Sequence, residues 1–175
     1  MNASTRTRCA LLGTLWLVSH GAWAGKAHEH GVVKLDVAVD GATLNIEMRT
    51  PLDSLLGFER APRTEAERKA AAAVLAQLRA PGPLFVADAA AGCALSKAEV
   101  VAPVLEAGAK PADGHADLDA SYVYTCTQPQ ELRTLQLGLF KAYKRMRRID
   151  VQTAGPQGQG KATLRRPANS VALKR

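Results

Sequence analysis

No apolar run in this sequence is long enough to cross a membrane as a helix. The most apolar stretch, Cys9 to Val18, covers ten residues, about half of the roughly twenty that a bilayer's hydrocarbon core demands. Catalytic signatures are missing as well: there is no G-x-S-x-G, no C-x-x-C and no H-E-x-x-H, and no nucleophile stands beside a base with a third group to orient it. Ser121 and His115 lie six apart, but a serine on a strand face is unremarkable. No internal repeat is present. Cysteine and histidine are scarce, at three and four residues, so the position of each one matters.

The N-terminus explains two of these rarities. Arg6 and Arg8 precede the run "CALLGTLWLV", and "SHGAWA" follows with small residues at Ala22 and Ala24. This is the pattern of a secretory signal peptide, residues 1–24, cleaved after Ala24. Cys9 lies too early, and lacks the small neighbours, for a lipoprotein anchor. Cleavage removes Cys9, His20 and both arginines, and net charge falls from +7 to +5. Cys93 and Cys126 remain, an even number in an oxidising compartment, which favours a disulfide over two free thiols or a thiolate metal site.

The exported part has the size of one domain, residues 25–166, with a loose basic tail over 167–175. "VVKLDVAV" and "ATLNIEMRT" alternate apolar and polar residues on either side of Asp40-Gly41, a strong hairpin signal. Thr50 to Arg63 reads as a connecting segment. Thr64 with Glu67 three residues on forms a capping box, and a helix from Glu65 to Arg79 follows, with Ala71, Val74, Leu75 and Leu78 as its apolar stripe and Pro81 to Pro83 as its stop. Shorter strand candidates come next: "PLFVAD", "CALSKAEVVAP", "HADLDASYVYTCT", "LRTLQLGLF", "RRIDVQT" and "GKATLRR". The expected fold is α+β: a single domain, mostly antiparallel β-sheet, with one clear inserted helix.

All three remaining histidines fall in two short segments, "HEHG" at His28 to Gly31 and "HADLD" at His115 to Asp119. On extended backbone, positions two apart share a side, so His28 and His30 present both imidazoles together with Lys34 and Asp36 beyond them, and His115, Asp117 and Asp119 do the same. If the segments meet, three imidazoles and a carboxylate surround one cation, a nitrogen and oxygen set that suits zinc. The alternative is that these are ordinary polar residues on the wet face of amphipathic strands, in an export-compartment interaction module with incidental histidines. A further cluster, Lys141, Lys144, Arg145, Arg147 and Arg148, reads as a solvated basic face or a contact for anionic lipid or an acidic partner; Arg165, Arg166, Lys174 and Arg175 add to it near the C-terminus.

"AHEHG", the hairpin after it, "GFERAP" at Gly57 to Pro62, "AGC" at Ala91 to Cys93, "HADLDASYVYTC" and "LF" at Leu139 to Phe140 occur in an order that resembles the ZrgA-type periplasmic zinc-binding proteins, over residues 27 to 165. The resemblance implies a soluble periplasmic protein linked to zinc acquisition, with a zinc ABC importer or its binding protein as partner, no nucleic-acid role and no stable membrane anchor. It also implies His28, His30, His115 and Asp117 as the metal ligands and a non-enzymatic role. Two departures stand out. Relatives often carry a histidine-rich loop before "HAD", where this chain has "LEAGAKPADG", and often a histidine after "GFE", where it has Arg60.

Overall fold

In the computed structural model, which describes residues 29–106 and 116–173, the two alternating runs form β1 (Val32–Asp40) and β2 (Thr43–Pro51). Asp40 pairs with Thr43, so Gly41-Ala42 is the two-residue loop of the hairpin. Val33, Leu35, Val37, Val39, Leu44, Ile46 and Met48 are buried, while Lys34, Asp36, Glu47 and Arg49 are exposed on the other face. This alternation makes a sheet that is dry on one side and wet on the other.

The hairpin lies at the centre of a six-stranded sheet in the order β4-β5-β2-β1-β7-β8, with β4 at Cys93–Val101, β5 at Asp117–Cys126, β7 at Arg148–Gly155 and β8 at Gly158–Leu164. Every pairing is antiparallel except β1 with β7. A parallel neighbour cannot be reached by a tight turn, and the chain between these two strands builds most of the rest of the molecule. Cys93 stands opposite Cys126 at the end of the β4–β5 ladder, and the two are joined by a disulfide.

The dry face is covered by α2 (Glu65–Arg79) and by a second, three-stranded antiparallel sheet of β3 (Phe85–Ala87), β6 (Thr134–Leu137) and β9 (Ser170–Ala172). Phe85 of the small sheet meets Tyr122 of the large one, ring centroids 5.0 Å apart. The helix has the expected bounds and capping box: Thr64 Oγ1 accepts from Glu67 N at 3.1 Å, and Glu67 Oε2 accepts from Thr64 N at 3.3 Å. Ala71 and Leu78 are buried, with Val74 and Leu75 packed on the core at partial burial.

Three expectations are corrected. The connecting segment holds a short helix, α1 (Leu52–Leu56), ended by Gly57 in the left-handed conformation. "LRTLQLGLF" is a strand only as far as Leu137; its end turns into α3 (Leu139–Ala142), with Leu139 and Phe140 buried. The segment from residue 167, expected as a loose tail, contains β9, and Val171 and Leu173 are buried in the core. Its two apolar residues stand two apart, which is all a three-residue strand needs to bury one face.

Candidate functional site

The described parts of the two histidine segments, residues 29–31 and 116–119, arrive at one place, the turn where β2 passes into α1. Leu52 N donates to Ala116 O at 2.8 Å, and Pro51 lies opposite Asp117 in the β2–β5 register. Two residues along the helix, Ser54 Oγ accepts from Gly31 N at 2.9 Å, and the buried Thr50 hydroxyl donates to Val32 O. So Gly31, the last residue of "HEHG", and Ala116, the middle one of "HAD", are both hydrogen-bonded to the three-residue stretch 52–54. His28 and His115 themselves lie outside the described residues.

His30 does not follow the strand. β1 begins at Val32, and Gly31 is left-handed (φ +78°), so the side-sharing that would put His30 with Lys34 and Asp36 is broken at the glycine. The imidazole stands over α1 instead, with Nε2 3.2 Å from Glu59 Oε1 and Nδ1 4.0 Å from Asp53 Oδ2. Asp53 and Glu59 were given no role by sequence reasoning. Only "GFE" hinted at Glu59, and nothing hinted at Asp53. Asp117 sits on β5 near Arg49, whose guanidinium is bound by Asp119 at 2.6 Å.

The basic run stays largely exposed, as a solvated face does, but two of its arginines also clamp Glu29 to Gly31 beside the helix. Gly31 O accepts from both Arg147 N and Arg148 N, at 2.7 and 3.1 Å. Arg147 Nη2 donates to His30 O at 2.6 Å, and Arg148 grips Glu29 through two hydrogen bonds of 2.9 and 2.7 Å, a bidentate geometry that only a guanidinium provides. Arg145 lies over Gly57 and stands 3.8 Å from Asp53. A Cβ on Gly31 would come within 2.7 Å of Arg147 Nε, and one on Gly57 within 2.7 Å of the Arg145 guanidinium. Both motif glycines are therefore seats for arginines as well as left-handed turns.

Arg166, read from the sequence as one more cation of the basic cluster, donates to the carbonyls of Phe140, Tyr143 and Met146 and lies over the Phe140 ring at 4.9 Å. It fixes the loop from which the clamp arginines project. Arg60, at the position where relatives often have histidine, binds Glu67 through two hydrogen bonds of 2.9 and 2.7 Å and anchors α2.

Among the described residues no group of three or more His, Cys, Asp or Glu side chains is spaced to hold a metal ion. At His30 the two carboxylate neighbours face different ring nitrogens: Nε2 is within hydrogen-bond distance of Glu59, whereas Nδ1, 4.0 Å from Asp53, is not, and a carboxylate bonded to one nitrogen alone is the way a metal-binding histidine is oriented. Away from this site the Tyr122, Tyr124 and Tyr143 hydroxyls are buried, and burial pushes Tyr124 and Tyr143 up to about 12 and Tyr122 further. No helix among the described residues is long and apolar enough to cross a membrane.

Comparison with curated proteins finds no match to this chain. A family model does match, over residues 27–173, a span that starts just before "HEHG" and ends on the buried Leu173: the chain belongs to the ZrgA family of zinc uptake proteins.

Proposed function

We propose that this protein is a periplasmic zinc-binding accessory protein assisting high-affinity zinc uptake. It is exported by cleavage of residues 1–24, is not an enzyme, and serves a zinc ABC importer or its binding protein. It holds zinc through side chains of two segments, His28 and His30 with His115 and Asp117. The observation that carries the reading is the meeting of both segments on residues 50–54: Gly31 is bonded to Ser54, Ala116 to Leu52, and Asp117 is in register with Pro51. Glu59 adds a second support, because its carboxylate against Nε2 of His30 fixes the tautomer and leaves Nδ1, 4.0 Å from Asp53, for the metal. The disulfide suits an oxidising compartment.

Nitrogen ligands favour zinc over magnesium, which prefers oxygen and keeps its waters. Without a histidine-rich loop the capacity is small. Calorimetric titration of the mature protein should saturate near about one zinc per chain, with magnesium competing poorly. Replacing His28 and His30 together by alanine should remove most of the affinity, and His115→Ala should weaken it. Undiminished zinc binding by the double variant would sink the assignment, and no binding by the parent at micromolar zinc would make the histidines incidental.

A further inference from the structure

Beside His30 is a cleft of about 320 Å³, lined by His30, Gly31, Asp53, Lys144, Arg145 and Arg147. That volume is at the lower end of the range for small-ligand pockets, about 300–1,000 Å³. Its charge is the wrong sign for a bare dication. Three cations border it against the one carboxylate of Asp53, with Glu59 on the other side of the imidazole. Lys144 is exposed, and its ammonium has no partner among the described residues. Arg147 spends one donor on a backbone carbonyl, and Arg145 makes only a 3.8 Å approach to Asp53. The remaining guanidinium donors stand over Gly57 and Gly31, where a side chain would displace them, and are open to an oxyanion entering here.

We infer that this cleft binds the carboxylates of a small polycarboxylate, and that zinc is taken at His30 as a complex with that chelator in preference to the free ion. The anion offsets Lys144, Arg145 and Arg147, while the metal it carries faces the imidazole and Asp53. Recognition of the zinc half rests on the function proposed above. Recognition of the carboxylate half does not, and the two are separable by experiment.

The first measurement uses metal-free mature protein titrated with citrate as the probe. Saturable binding is expected, with acetate failing to compete at equal concentration, and Lys144→Gln or Arg145→Gln should weaken it about tenfold or more, as loss of a charged hydrogen-bond donor does. Lys69→Gln, a substitution on α2, should leave it unchanged. Lys144 carries no packing role, so its variant reports even if the Arg145 variant misfolds. The second measurement repeats the zinc titration with equimolar citrate. A site for free zinc must lose apparent affinity to the chelator, whereas a site for the complex keeps or gains it. Absence of saturable citrate binding, binding indifferent to Lys144 and Arg145, or weakening of zinc uptake by citrate would each overturn the inference. Citrate binding without any zinc binding would instead overturn the zinc half alone.

Discussion

Gly31 shows how much one residue decides. Its left-handed backbone ends the alternation of β1, turns His30 onto α1, and leaves room for Arg147 where a side chain would stand. For a residue with a Cβ the left-handed conformation costs about 1–2 kcal/mol. Gly31→Ala should therefore lower stability by about that amount in urea denaturation, and it should also release Arg147 and weaken zinc binding although no ligand has been changed. Unaltered stability together with unaltered zinc affinity would show that the glycine seat is dispensable. The identity of this glycine was legible as part of "HEHG". Its partner Arg147 was not, because a pair 116 positions apart is brought together by the β1–β7 pairing and by nothing local.

At the scale of the element, α2 was readable from end to end, since its start is a local hydrogen-bond exchange between Thr64 and Glu67 and its stop is proline. What the local pattern omits is Arg60. The Arg60 guanidinium first, then the Arg63 and Thr64 backbone N–H groups, hold the Glu67 carboxyl down at about 2, against an ordinary value of 4.5. A depressed folded-state carboxyl contributes stability that is fully present above about 4.5 and lost as pH falls toward about 2. Stability measured between pH 5 and 2 should therefore decline in the parent, with a shallower decline in Glu67→Gln, whose stability at neutral pH should already be reduced. Equal slopes in the two proteins would place the acid sensitivity elsewhere. α1 and α3 were not legible: at five and four residues they carry no full period of apolar spacing, and their apolar residues match a short buried strand equally well.

For the whole molecule, the disulfide and the two-sheet core set stability. Cys93 and Cys126, 33 positions apart, close the β4–β5 edge, and a loop of that length is worth about 3–4 kcal/mol of unfolded-state entropy. Thiol labelling of denatured, unreduced protein should find no free cysteine in the mature chain. Replacing both residues with alanine should cost about 3–4 kcal/mol; two labelled thiols, or a negligible cost, would contradict the bridge. The pairing was legible by counting, because the expected removal of residues 1–24 would leave only two cysteines. The fate of the C-terminal segment was not. Val171 and Leu173 look like isolated apolar residues in a basic tail until β6 supplies an edge for them.

The sequence by itself determined the hairpin, α2, the strand-dominated class and the two histidine segments, because each is written in contiguous residues as a period, a cap or a repeat of one side-chain type. Only the tertiary structure decided which carboxylates face His30 and what the basic run is for. Asp53 and Glu59 reach His30 from a short helix and the loop after it, while from far along the chain Arg147 reaches the His30 carbonyl, Arg148 reaches Glu29 and Arg145 reaches Asp53. Those contacts depend on a parallel pairing of β1 with β7, whose partners share no local signal. Ionic and hydrogen-bonding side chains are specified by where the backbone carries them, and the backbone's course across a sheet is set by burial of the whole apolar face.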